Sequence, residues 1–190
     1  MTDDAAEGKG DELHWRETYF ILFPRERRPT LKEVQQALAS ADDRLRLENL
    51  AADEQGLFQS LLVESPEDHA AVEVSYETGD AVIEQNLEWA KQLQREIAAE
   101  HLQQLMVSDA RLDVAHFERL PASTPNPDAA DKGGRGAWTD DDYAADDFGD
   151  DVDAGPELGM LDPTCLLMVV EALTTLTKGI TLDPASGEIL

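Results

Sequence analysis

Apolar residues change period several times along the chain, and each change marks an element. The first dense run is TYFILF, residues 18–23. It is short, aromatic and β-branched, with apolar residues on both parities, the pattern of a strand covered on both faces. Pro24 and the following RERRP end it. Thr30 and Glu33 then have Ser/Thr-x-x-Glu capping-box spacing, and Leu31, Val34 and Leu38 share one face of the helix that starts there. Three strands are predicted next: RLRLENL, LFQSLLVE and AAVEVSYE. The last alternates most cleanly, with Ala70, Val72, Val74 and Tyr76 on one side and Ala71, Glu73, Ser75 and Glu77 on the other. SPED, residues 65–68, supplies the turn of a hairpin between the second and third.

From Asp80, the expected N-cap, to about Val107 the chain has neither Gly nor Pro. Ile83, Leu87, Ala90, Ile97 and Leu105 fall on one broad face. A continuous helix here would run roughly 40 Å, long for a small domain, so a bend is expected at Ala98 and Ala99. RLDVAHFERL, residues 111–120, reads as a returning strand. The Pro- and Gly-rich stretch that follows cannot bury enough apolar surface to offset chain entropy, so it reads as a linker. Order is expected again at LDPTCLLMVVEALTTLTKG, with Asp162 as N-cap, Pro163 at the first helical position and Gly179 past the end. ITLDPASGEIL reads as a tight hairpin, with Asp183-Pro184 opening the turn and Gly187 taking positive φ.

The expected fold is α+β, a ferredoxin-like sandwich with a mainly antiparallel sheet, helices on one face and an extra strand. A C-terminal helix and short hairpin complete it. That helix packs back on the core, since Leu166, Leu167, Val169, Val170 and Leu173 would otherwise form a large exposed patch. The organisation predicted is a disordered acidic lead-in at 1–14, the α+β core at 15–120, an acidic disordered loop at 121–160, and the helix and hairpin at 161–190.

Charge changes the picture of function. The 190-residue chain has a formal net charge of −26, which opposes approach to DNA, RNA or anionic lipid. One cysteine, Cys165, rules out an intrachain disulfide and a thiolate-built zinc site. No secretory leader and no stretch long enough to cross a bilayer is read, so a cytoplasmic location is expected. The densest acidity lies in WTDDDYAADDFGDDVDAGPE, residues 138–157, where Trp138, Tyr143 and Phe148 recur every five residues. Interleaved charge keeps such rings from collapsing together. Asp140, Asp141, Asp142, Asp146, Asp147, Asp150 and Asp151 would then speed encounter with a basic partner, and the three rings would supply buried contact. As a calcium loop the same stretch fails: counted from Asp151, glycine falls at the fifth position instead of the sixth.

Arg25, Arg27 and Arg28 form the one basic cluster. They are candidates for a latch on the acidic loop, or for an oxyanion site beside the Thr30 helix start. The plainer alternative is a turn whose arginines balance nearby carboxylates. Nucleophile motifs and phosphate loops are missing, and no cofactor or metal is expected. The function expected is therefore a non-catalytic interaction or regulatory module that engages a protein with a basic surface. The alternatives are a small enzyme or ligand-binding domain with a pocket near Glu64, Glu67, Asp68 and His69, and a DNA-mimic inhibitor acting through its carboxylates.

Overall fold

The computed structural model describes residues 12–120 and 163–190. The predicted lead-in up to residue 11, the acidic segment and its ten candidate residues lie outside these. The elements in chain order are β1 (Glu12–Phe23), α1 (Leu31–Ala41), β2 (Arg46–Ala52), β3 (Phe58–Ser65), β4 (Ala70–Thr78), α2 (Asp80–Leu93), α3 (Ala99–Val107), β5 (Ala110–Leu120), α4 (Thr164–Thr177) and β6 (Ile180–Leu182). Six strands form one sheet in the order β2-β3-β4-β5-β1-β6, and every neighbouring pair is antiparallel.

The result is an α+β fold with four helices packed on an antiparallel sheet. A ferredoxin-like arrangement is not confirmed. That topology follows the order β-α-β-β-α-β, whereas here three strands follow α1 and two helices precede β5.

The expectation of helices on one face is corrected, because successive side chains of a strand point to opposite faces. Ile21 and Phe23 of β1 join Val72 and Val74 of β4, Leu112 and Val114 of β5, and Leu61 and Val63 of β3. Over them lie Val34 and Leu38 of α1 and Cys165, Leu166, Val169, Val170 and Leu173 of α4. Leu22, between Ile21 and Phe23, turns the other way and packs with Ile180 and Leu182 of β6, Ala90 and Leu93 of α2, and Leu105 of α3. One layer of helices thus covers each face. The two-parity run in β1 demanded both.

Local chemistry sets the helix ends. Thr30 Oγ1 accepts from the Glu33 backbone at 3.3 Å and the Glu33 carboxylate accepts from the Thr30 backbone at 2.8 Å, closing the predicted capping box. The long predicted helix breaks into α2 and α3, with Ala98 in extended backbone at the N-cap of α3. Its buried face is Val82, Asn86, Ala90 and Leu93, not one running through Leu87, which is 38 % exposed. Asn86 explains the offset: its Nδ2 donates to the Ser108 carbonyl at 2.8 Å and ties α2 to the end of α3. The α2 N-cap is Gly79, at φ 115°, and Asp80 is the first helical residue.

The C-terminal helix forms and packs on the core, but with Pro163 at its N-cap position instead of as its first helical residue, which corrects the expected Asp162 cap. Pro163 caps α4, which starts at Thr164, and Gly187 adopts φ 78° in the final turn. Gly179 is required by close approach: a Cβ there would lie 2.6 Å from the Leu22 carbonyl oxygen. Thr174 of α4 reaches Thr181 of β6 at 2.7 Å between hydroxyls, fixing the helix over the sheet edge.

Candidate functional site

β1 begins six residues before the predicted strand, and the added part carries the site. Its register with β5 shifts between Trp15 and Glu17, so Arg16 is the extra residue of a bulge. Arg16 forms an ion pair with Glu118. N-terminal to the bulge, Trp15 stands directly opposite Phe117, and Leu13 opposite Arg119. C-terminal to it, Thr18 faces Ala115. The indole Nε1 of Trp15 donates to Thr18 Oγ1 at 3.1 Å, so the ring lies back along its own strand.

These residues sit on the sheet face that carries α2 and α3, beyond the area that those helices cover. In the pairing across β5, β4, β3 and β2, one row reads Thr18, Ala115, Glu73, Leu62 and Glu48. Leu61 and Val63 point into the α1–α4 core, so Leu62, Glu48 and Glu73 point the other way. A groove of about 330 Å³ opens here, lined by Leu13, Asn49, Ser60, Leu62, Glu73 and Phe117 among others. Trp15 is 62 % exposed and Leu13 43 %. Among the described residues neither Glu48 nor Glu73 has an ion-pair or hydrogen-bond partner, whereas Glu64 beside them is held by Arg119. The arrangement is a groove of mixed lining, with Glu73 in it, Glu48 beside it, and Ser60 without a lining histidine to act as its base.

The other sequence candidates are dispersed. Arg25 binds Asp109 through its backbone N–H at 2.7 Å and its Nε at 2.5 Å. Arg28 donates to the Phe58 carbonyl and to Asp53, with its guanidinium 4.0 Å from the Tyr76 ring centre. Arg27 donates to the Lys178 carbonyl at 3.0 Å, where a basic group complements the end of α4. The three guanidiniums thus have three separate partners. Glu64 pairs with Arg119, Glu67 with Arg44, and Asp68 accepts from Ser65 Oγ at 2.6 Å. His69 is exposed in the turn at φ 50°, and its carbonyl accepts from Arg119 N–H. These four groups do not converge on one point.

Elsewhere, a hollow of about 510 Å³ is lined by Glu96, His101, Ser186 and Glu188 among others. There Ser186 Oγ donates to Asp183 at 2.7 Å, so its hydroxyl is engaged by a carboxylate and not by an imidazole base. Burial pushes the Cys165 thiol up to about 11, with Asp68 and Asp42 adding to the shift, which keeps it protonated. Among the described residues no cluster of His, Cys, Asp and Glu is placed to hold a metal ion, and no helix is long and apolar enough to cross a membrane.

Comparison of the chain with protein families, with curated proteins and with solved structures finds no match.

The sequence reading missed Leu13, Trp15, Leu62 and Phe117 as a group. The signal present was the alternation Leu13-His14-Trp15, but the bulge at Arg16 reverses its parity before TYFILF begins.

Proposed function

We propose that this chain is a non-catalytic protein-interaction module that engages a partner with a basic surface through the uncovered part of its sheet. The observation that supports this best is the patch formed by exposed Leu13 and Trp15 with half-buried Leu62 and Phe117, beside the carboxylates of Glu48 and Glu73, which have no ion-pair partner among the described residues. Exposed apolar surface rimmed by polar groups marks interaction sites, and an exposed tryptophan such as Trp15, at the border of this one, is a frequent anchor. The net charge of −26, to which residues 121–160 contribute −9, raises the local concentration of cationic partners and speeds encounter. The carboxylates then select which cationic surface stays.

The test uses the full chain as bait, with Leu62→Arg on the face and Leu167→Arg on the exposed side of α4 as the control. Basic proteins retained by the wild type and by Leu167→Arg, but released by Leu62→Arg and by raised salt, support the reading. Identical retention by both variants contradicts it. Competition by duplex DNA for the retained protein would favour the DNA-mimic reading, in which carboxylates alone carry binding.

A further inference from the structure

We propose that an extended segment of a basic partner protein adds to the sheet as a further strand, along the free edge of β1 at residues 13–18. The inference rests on the binding reading above and names the conformation in which the partner attaches and the backbone groups that hold it.

Strand pairing leaves this edge open. β1 pairs with β5 from Glu12 to Phe23, but on its other side β6 covers only Phe20, Ile21 and Leu22. β6 stops for a reason in its own sequence. The residue that would next stand opposite Thr18 is Pro184, which has no N–H, and the chain turns away there, with Gly187 N–H donating to the Asp183 carbonyl at 2.7 Å.

The alternation of an antiparallel ladder identifies the groups that face the gap. Leu190 N–H donates to the Thr181 carbonyl at 3.0 Å, so Thr181 turns away from β1 while its two neighbours turn towards Phe20 and Leu22. Thr18, two residues before Phe20, turns to that same side, where β6 has ended. Beyond the Arg16 bulge, Arg119 N–H donates to the His69 carbonyl at 2.7 Å, away from β1. Its partner Leu13 therefore turns away from β5, as does Trp15 opposite Phe117. Leu13, Trp15 and Thr18 thus present their N–H and C=O groups to a side that holds no strand among the described residues. Such a row is a template for an added strand. An occupant bonds both groups of Leu13 and of Trp15 and, after the offset that the bulge imposes, those of Thr18.

Side chains set the pattern of the occupant. Leu13 and Trp15 stand on the groove face, 43 % and 62 % exposed. Residues paired with them point to that face too, so two apolar side chains spaced two apart cover both. The residues between point to the other face, where Glu17 is 44 % exposed and lies 3.5 Å from His116. Burial first, then the carboxylates of Glu17, Asp183 and Glu188, raise the Tyr19 hydroxyl above its usual 10, so three anions surround this end of the edge. Arg16, the one Lys or Arg among residues 12–19, is committed to Glu118. A lysine or arginine of the added strand beside Glu17 meets those carboxylates. A second copy of this chain fits poorly, since it would bring together two bodies that each carry −26.

The test is selection of a displayed library of random ten-residue peptides on the full chain, followed by amide exchange of the chain with and without the best binder. Expected are peptides with apolar residues two apart and a Lys or Arg at an intervening parity, which gain no helical circular dichroism when bound. The amides of Leu13, Trp15 and Thr18 should exchange freely in the chain alone and slow at least tenfold in the complex. N-methylation of the peptide's edge-facing amides should weaken binding at least tenfold, and N-methylation of the alternate set less than threefold. Glu17→Gln should weaken binding at least threefold. Binders that need Leu62 yet leave the three amides exchanging, or that tolerate N-methylation at both sets, overturn the added strand and leave the binding face intact. Slow exchange of the three amides in the chain alone overturns the proposal as well. If dilution abolishes that protection the occupant is a second copy, and if it persists the edge is already covered. A library with no enrichment overturns both the strand and the face.

Discussion

Replacing Trp15 with alanine separates a side chain held for folding from one held for binding. With 62 % of its surface in water, Trp15 contributes little buried area to the chain's own core. A tryptophan side chain offers roughly 250 Å², so the fold buries about 95 Å² of it, worth at most about 2 kcal/mol at ~25 cal/mol/Å². Its hydrogen bond to Thr18 is exposed and adds little. A partner that covers the remainder gains about 155 Å² at the same coefficient, about 4 kcal/mol before the costs of association. Trp15→Ala should therefore lower unfolding free energy in urea by no more than about 2 kcal/mol, while weakening a bound basic partner at least ~30-fold. Leu105→Ala is the converse control. Leu105 is fully buried, so its truncation should cost about 2–5 kcal/mol of stability and leave the dissociation constant of the folded fraction unchanged. Urea titration and fluorescence polarisation of a labelled, retained basic partner measure the two quantities on the same samples. A Trp15→Ala protein that loses more than about 3 kcal/mol, or binds within twofold of wild type, would refute the reasoning.

Other substitutions test the scaffold. Gly179→Ala places its Cβ 2.6 Å from the Leu22 carbonyl and 3.1 Å from Thr177 Oγ1, an overlap with backbone that should cost about 1–3 kcal/mol in thermal or urea unfolding. Thr30→Ala opens the capping box at α1 and should cost about 1 kcal/mol near neutral pH. The backbone and side-chain hydrogen bonds from Thr30 hold the Glu33 carboxyl below its usual 4.5, so this contribution is full above that pH and lost as pH falls through the lower folded value. The Thr30→Ala penalty should therefore shrink in acid, which paired melts at pH 7 and pH 3 would show. Cys165, with no exposed surface, should resist thiol reagents at pH 8 in the native protein and react on unfolding, read by mass shift.

Much of the body was legible in the pattern of residues. The capping box at Thr30 and Glu33, the hairpin through SPED, the break near Ala98 and the C-terminal helix with its turn at Gly187 all rest on local chemistry that a sequence displays directly. Layering was less visible. TYFILF already required cover on both faces, yet the helices were placed on one, because no local signal assigns a helix to a face. Asn86 was unreadable for a related reason. A polar residue on a buried helix face is explained only by the Ser108 carbonyl, 22 positions away. The site itself was hidden by a single inserted residue: Arg16 reverses the alternation between Trp15 and Thr18, so Leu13 and Trp15 read as lead-in. The candidates drawn from composition fared differently. Arg25 and Arg28 proved to be held by carboxylates of the body, a long-range pairing that clustering in sequence does not reveal.

Amide chemical-shift mapping of the full chain, titrated with a basic partner that it retains, tests the central claim most directly. The account expects saturable shifts at Leu13, Trp15, Leu62, Glu73 and Phe117, with α1 and α4 unchanged and the shifts reduced by added salt. Shifts confined to residues 121–160, or spread over α1 and α4 while the groove stays silent, would contradict it.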